Sequence, residues 1–175
     1  MFLTYITGLS VKEYLKRQGI SHRLLNTLKQ YHCIICNGSE VLTNHILKTN
    51  DIVEVNLNYD EEAENIVSSS IPLHIIYEDE SLLIVNKSPF IPVHPSIHYY
   101  ETSLSNGVKY YFDQIGLKKK IRPVNRLDKD TTGIVIFAKN EYVQECLIKQ
   151  MKEKKFVKEY VAIVDGILDE KKRYN

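Results

Sequence analysis

The stretch from Arg122 to Asn140, RPVNRLDKDTTGIVIFAKN, holds the residues of this chain best suited to chemistry. Asn125, Arg126, Leu127 and Asp128 stand just before a polar turn, Lys129 to Gly133. An apolar run, Ile134 to Ala138, follows at once and reads as a buried strand. A tight loop thus delivers a cation and a carboxylate to the mouth of a sheet. A carboxylate held there can act as a nucleophile, steady a cation or move a proton, provided it is ionised and closely oriented. Arg126 lies two residues before Asp128, and i and i+2 share a face in extended chain. It is therefore placed to contact a phosphate. Thr131 or Thr132 can hydrogen-bond local backbone and stiffen the turn. Asp130 is a competing carboxylate, read here as a solvated turn residue.

The elements that position this loop emerge from the rest of the chain. Its 175 residues suffice for one ordinary domain, or for a small module plus part of a larger one. A hydrophobic content of 43% and a charged content of 26% are those of a soluble globular protein. The formal net charge of +1 gives no global field for a polyanion, so any such site must be a local patch. Basic residues do cluster, at Lys118, Lys119, Lys120, Arg122 and Arg126, and again at Lys149, Lys152, Lys154, Lys155 and Lys158. Taken alone, such runs read as solvated faces.

No apolar run approaches the length that spans a bilayer. MFLTYITGLS lacks the basic and long apolar regions of a signal peptide. Three cysteines argue against a disulfide framework and fit a reducing cytoplasm. Cys33 and Cys36 form a lone C-x-x-C with no second pair, whereas a structural zinc needs four ligands. On a short strand they point to opposite faces and read as two small apolar fillers, so no metal site is expected.

Three regions separate by composition. In residues 1–58, Ser10 caps a helix with Tyr14 and Leu15 inward, and Ser21 caps a second with Leu24, Leu25 and Leu28 on one face. Asn37-Gly38 is a hairpin turn between Cys33–Cys36 and Glu40–Leu42. Asn50-Asp51 is a further turn, and Ile52, Val53 and Val55 make a strand. Residues 59–70, YDEEAENIVSSS, are acidic and then serine-rich, and read as an extended, solvated linker. From Ile71 a second unit begins. His74–Tyr77 and Leu82–Asn86 are strands joined by a turn, and Lys87 to Ser96 is a proline-rich loop. Leu104, Val108, Tyr111, Phe112 and Ile115 make one face of a helix stopped by Gly116. Asn140 caps a helix with Val143, Cys146, Leu147 and Met151 inward, and Phe156–Val164 alternates as a strand. There is no internal repeat and no strict β-α-β order, so the fold class is α+β.

Residues 73–166 resemble the RluA-like RNA pseudouridine synthases. The resemblance rests on I-I-Y-E-D-E-S-L-L-I-V-N-K-S-P, V-H-P-S, R-L-D-K-D-T-T-G and K-E-Y-V-A-I-V-D-G, in that order. It implies isomerisation of uridine within ribosomal or transfer RNA, with Asp128 as the catalytic carboxylate. The resemblance leaves open whether that group is nucleophile, cation stabiliser or handler of a sugar proton. It further implies that Arg126 fills the gap of an extruded base or holds a phosphate, and that Tyr160 packs on the flipped base. Lys87 is a weaker candidate for the site or for phosphate. The family has histidine where this chain has Asn125. Asparagine donates and accepts but cannot titrate, so its implied role is hydrogen bonding. Thr132 replaces a serine, and Ser88 separates the lysine from the proline. The isomerisation oxidises nothing and consumes no water, so no cofactor or metal is expected.

Residues 11–57 resemble the alpha-L RNA-binding domain, through V-K-E-Y-L-K, I-S-H-R-L-L-N-T-L-K, I-C-N-G and L-K-T-N-D-I-V-E-V. This implicates Lys12, Lys16, Arg17, His22, Arg23 and Lys29 in phosphate contacts, with salt-dependent affinity. The implied organisation is an RNA-binding domain at 1–58, a linker at 59–70 and a partial catalytic domain at 71–175. Relatives continue into a segment resembling R-x-x-T-G-R-x-H-Q-I-R, whose arginine pairs with the catalytic carboxylate, and nothing here matches it. A C-terminally truncated member is therefore expected. The alternative function is a fragment that binds RNA and catalyses nothing. A cytoplasmic monomer with no membrane association and no obligatory protein partner is expected. A glycosidase is a distant third reading, because only one well-placed acid is visible.

Overall fold

Ser10 opens the first helix by a reciprocal cap. Its hydroxyl accepts from the Glu13 amide, and the Glu13 carboxylate accepts from the Ser10 amide. Helix α1 (Val11–Arg17) buries Val11 and Leu15. Ser21 caps α2 (His22–Gln30), which buries Leu24, Leu25 and Leu28. Strands β1 (Ile34–Cys36) and β2 (Ser39–Glu40) form the Asn37-Gly38 hairpin, with positive φ at both turn residues as a two-residue turn requires. Strand β3 (Val53–Val55) pairs antiparallel with β1 on its other side. These elements enclose a core of their own, which also takes Cys33, Cys36, Leu47 and Tyr59.

The computed structural model describes residues 8–61 and 66–166. Residues 1–7, the acidic middle of the linker stretch at 62–65 and the tail at 167–175 lie outside the described residues. No helix among those described is long and apolar enough to cross a membrane.

The second unit is built on an antiparallel sheet in the order β4-β5-β7-β6. Its strands are β4 (His74–Glu78), β5 (Leu82–Lys87), β6 (Arg122–Pro123) and β7 (Gly133–Ala138). Leu83, Val85, Val135 and Phe137 line one face and pack with Leu104, Val108 and Phe112 of α3 (Leu104–Gln114). The alternate residues Ile84, Asn86, Ile134 and Ile136 turn to the other face. Ile134 is 56% exposed there, so the run read as a buried strand is buried on one side only. Helix α4 (Glu141–Lys152) is capped by Asn140 as expected. Its apolar residues Val143, Cys146, Leu147 and Met151 are half-buried.

The fold corrects two expectations. The stretch at 59–70 is not a free linker at its described ends. Tyr59 stacks on Tyr31, and Lys119 donates to the Leu57 and Tyr59 carbonyls. Glu61 is buried against the Arg122 guanidinium in a two-pronged pair. Further on, buried Asn106 donates to the Val67 carbonyl, and Gly107 lets α3 approach Ile71 so closely that a Cβ would meet it at 3.0 Å. Charge and serine content suggest solvation, but fixed polar partners and aromatic stacking outweigh it. Secondly, Phe156–Val164 forms no strand, and Val161 and Ile163 are fully exposed. An alternating pattern makes a strand only where a neighbouring strand supplies the ladder, and no described strand pairs with this segment.

The two units touch through α4. Tyr142 packs against the first core, Glu141 pairs with Arg23 at 3.0 Å, and Ser21 donates to Glu145 at 2.6 Å.

Candidate active site

The loop after β6 is held by side chain standing in for backbone. The Val124 amide donates to the Ile136 carbonyl at 2.7 Å, which continues the β6–β7 ladder for one more residue. Asn125 then takes over with its amide. Its Oδ1 accepts from the Ile136 N–H and its Nδ2 donates to the Ile134 carbonyl, both at 2.9 Å. The chain is thereby clamped to β7 while its backbone turns away toward solvent. The Asp128 carbonyl accepts from the Thr131 N–H at 3.1 Å, closing the turn. Gly133 has φ 124, a conformation that favours glycine, and lets the chain enter β7 under Leu127.

Beneath this turn lies Lys87, only 1% exposed. Its ammonium donates to the carbonyls of Ser88, Ile91 and Lys129, at 2.9, 2.8 and 2.8 Å. Three donors meet three acceptors, so the group has no hydrogen bond left for a phosphate. Burial pushes its pKa down, while the Asp130 and Asp128 carboxylates act the other way. Lys87 is therefore a brace between the proline-rich loop and the Asp128 turn, which corrects its reading as a substrate contact. Lys87→Met is expected to leave these carbonyls unsatisfied and to cost about 3 kcal/mol in urea unfolding. A loss under about 1 kcal/mol would mean that the three hydrogen bonds carry little weight.

A pocket of about 790 Å³ opens beside the turn. Residues 92–96 form one wall and residues 123–129 the other, with Met151 and Lys158 at the margin. Asp128 and Arg126 are both exposed on this wall. Arg126 makes no hydrogen bond or ion pair among the described residues. Asp130 is exposed and lies 3.8 Å from the Lys129 ammonium. His94 lies across the pocket. Crowding by the pocket wall and then the Arg126 charge hold its ring below the usual histidine pKa. Arg126→Gln is expected to raise the His94 pKa, and an RNA phosphate between the two groups to raise it further, both read by NMR titration. A pKa unmoved by Arg126→Gln would show that the two cations do not share the pocket electrostatically.

Asn125, Arg126 and Asp128 are thus brought together. Tyr160 is 62% exposed and does not line the pocket; Lys158, two residues earlier, does. His94 is visible in V-H-P-S, but nothing local marks it as facing Arg126. Lys158 is hidden in a basic run that reads as solvated. Lys12, Lys16 and Arg17 on α1, and His22, Arg23 and Lys29 on α2, are all exposed.

A sequence model of a family described as RNA pseudouridylate synthase matches residues 81–175. The chain is 33% identical over 159 residues to an uncharacterized RNA pseudouridine synthase, YjbO, of Bacillus subtilis, covering 90% of this chain and 56% of that protein. It is 36% identical over 168 residues to ribosomal large subunit pseudouridine synthase D of Blochmanniella floridana, covering 94% and 51%. The namesake of Borreliella burgdorferi is 39% identical over 121 residues, covering 65% and 37%. The chain thus spans about half the length of the first curated relatives it matches. The matched region runs from β5 through the Asp128 turn to α4 and beyond, and by that match the chain belongs to the RNA pseudouridylate synthase family.

Proposed function

We propose that the protein isomerises uridine to pseudouridine within structured RNA, with Asp128 as the catalytic carboxylate. The observation that carries the reading is an exposed carboxylate on a turn locked from below by Lys87 and from the side by Asn125. A rigid mount is what a reacting carboxylate needs. The adjoining pocket lies within the range of about 300–1,000 Å³ typical of ligand sites. A uridine in folded RNA must be flipped out to reach such a pocket. The bond from the ribose carbon to uracil nitrogen then breaks, while the carboxylate attacks the sugar, steadies its cation or handles a sugar proton. The uracil turns, the same ribose carbon bonds to C5 as the carboxylate is released or returns its proton, the C5 proton leaves to solvent, and N1 takes up a proton. Arg126 holds a backbone phosphate or fills the vacated stack. Two relatives are named for the ribosomal large subunit, which favours ribosomal over transfer RNA.

The first unit is the RNA grip. Its exposed cations at Lys12, Lys16, Arg17, His22, Arg23 and Lys29 suit phosphate contacts. Lys16→Ala with Arg23→Ala is expected to weaken RNA binding. The slope of log affinity against log salt should become shallower by about 1 for each phosphate left without its cation. Unchanged binding would remove this face from the interface.

The direct test is tritium release from RNA labelled at uridine C5. Release at a defined ribosomal site supports the reading. A second reading is favoured by the exposed Tyr160 and the unpaired Phe156–Val164 segment, which leave the pocket open. In it, the chain binds RNA without turnover. Salt-dependent binding with no release on ribosomal or transfer RNA would establish that reading instead.

A further inference from the structure

Outside the pocket, the first unit gathers three side chains of metal-ligating chemistry from separate segments. Cys36 ends β1, His45 lies in the loop after β2, and Asp51 lies two residues before β3. One ligand atom from each lies within 4.8 Å of the others. Cys36 does not pair with Cys33, whose thiol donates to the Tyr31 carbonyl instead. We propose that Cys36, His45 and Asp51 form a zinc-class divalent metal site, with the fourth position open to water.

The donor set selects the metal. One thiolate, one imidazole and one carboxylate suit a borderline-soft ion and not magnesium or calcium, which want oxygen ligands. The thiolate and carboxylate charges neutralise a dication, so the filled site would carry no net charge into a partly buried place. Tetrahedral ligands at about 2.0–2.3 Å from zinc stand about 3.3–3.8 Å from one another. Closing the present arrangement takes roughly 1 Å of movement, which the exposed His45 ring can supply.

Asp51 is already oriented as a ligand should be. Its Oδ1 accepts from Asn37 Nδ2 at 2.9 Å and its Oδ2 accepts from the Lys48 N–H at 2.8 Å. The Asn37 side chain in turn accepts from the Ile52 N–H at 2.9 Å. The Cys36 thiol also hydrogen-bonds to Asp51. Once a metal displaces that proton, each carboxylate oxygen keeps a lone pair for the ion, and such outer partners fix ligand geometry. Cys36 is 5% exposed and cannot swing away. A bound ion would clip the β1–β2 hairpin to the loop that leads into β3.

The test is titration of the reduced full chain with Co²⁺, reading the thiolate-to-cobalt charge-transfer band and its displacement by Zn²⁺. One equivalent is expected to bind. The band should vanish in Cys36→Ser and persist in Cys33→Ser and Cys146→Ser. His45→Ala, at an exposed position where folding is not at stake, should weaken binding at least tenfold. Zinc should raise the melting temperature of the parent chain and not of His45→Ala. A band that survives Cys36→Ser, or equal affinity and equal melting shifts with and without His45, would overturn the proposal. These readouts involve neither RNA nor tritium release, so their outcome is independent of the proposed isomerisation.

Discussion

Asp128→Asn is expected to lower tritium release on the order of 10³-fold while leaving RNA affinity and stability nearly unchanged. The substitution keeps the size and hydrogen-bonding reach of the side chain and removes its charge. The turn itself would survive, because the bond that closes it uses the Asp128 carbonyl and the Thr131 amide. Unfolding free energy should therefore move by no more than about 0.5 kcal/mol, as for a surface exchange. Asp130→Asn supplies the contrast. That residue sits on the same turn, exposed beside the Lys129 ammonium, and outside the pocket lining. Its replacement should change release by less than about threefold, within the range of an ordinary surface exchange. If Asp130 and not Asp128 proved essential, the assignment of the reacting carboxylate would be reversed. If neither mattered, the pocket would not be the place of reaction.

Glu61→Ala is expected to cost about 3–5 kcal/mol, the largest stability effect predicted for this chain. The Glu61 and Arg122 side chains are 5% and 8% exposed. Removing the carboxylate leaves a guanidinium buried with, among the described residues, only the Lys120 carbonyl, at 3.3 Å, as a remaining hydrogen-bond partner. The penalty is that of an unpaired buried charge and is not the net worth of the pair. Replacing both residues together, Glu61→Met with Arg122→Met, should recover most of the loss. That non-additivity is the decisive reading in denaturant unfolding. If the double variant were no more stable than Glu61→Ala, the loss would come from packing around Glu61. Arg122 forms β6 and lies six residues before Asp128, so the pair also anchors the base of the site loop. Glu61→Ala should therefore weaken both stability and turnover.

Much of the fold can be read from short-range signals. Ser10, Ser21 and Asn140 cap their helices where the sequence places them, and Asn37-Gly38 turns its hairpin with both residues at positive φ. Each of these devices works within three or four residues, so the information lies in the local string. The Asp128 turn is of the same kind, as are the alternation of β5 and the apolar face of α3. The order of the family motifs points to the same family that the match over residues 81–175 shows.

What the string cannot decide depends on partners far apart in sequence. Lys87 reads as a candidate for the site or for phosphate, yet its ammonium meets a carbonyl 42 residues away. Glu61 reads as solvated, yet it meets Arg122, 61 residues on. Asn125 reads as a hydrogen-bonding residue of the site, but its amide clamps the chain to the Ile134 and Ile136 backbone. The Phe156–Val164 pattern has the right alternation and no ladder, because pairing needs a neighbour that alternation cannot supply. Cys36, His45 and Asp51 converge for the complementary reason: a hairpin and a returning loop bring them within 4.8 Å of one another. By itself the sequence determined the helices, the turns, the family and the position of the Asp128 loop. Only the tertiary structure decided which charged groups are braces and which remain exposed at the pocket. A side chain's role depends on whether its polar atoms already have partners, and those partners are set by the fold.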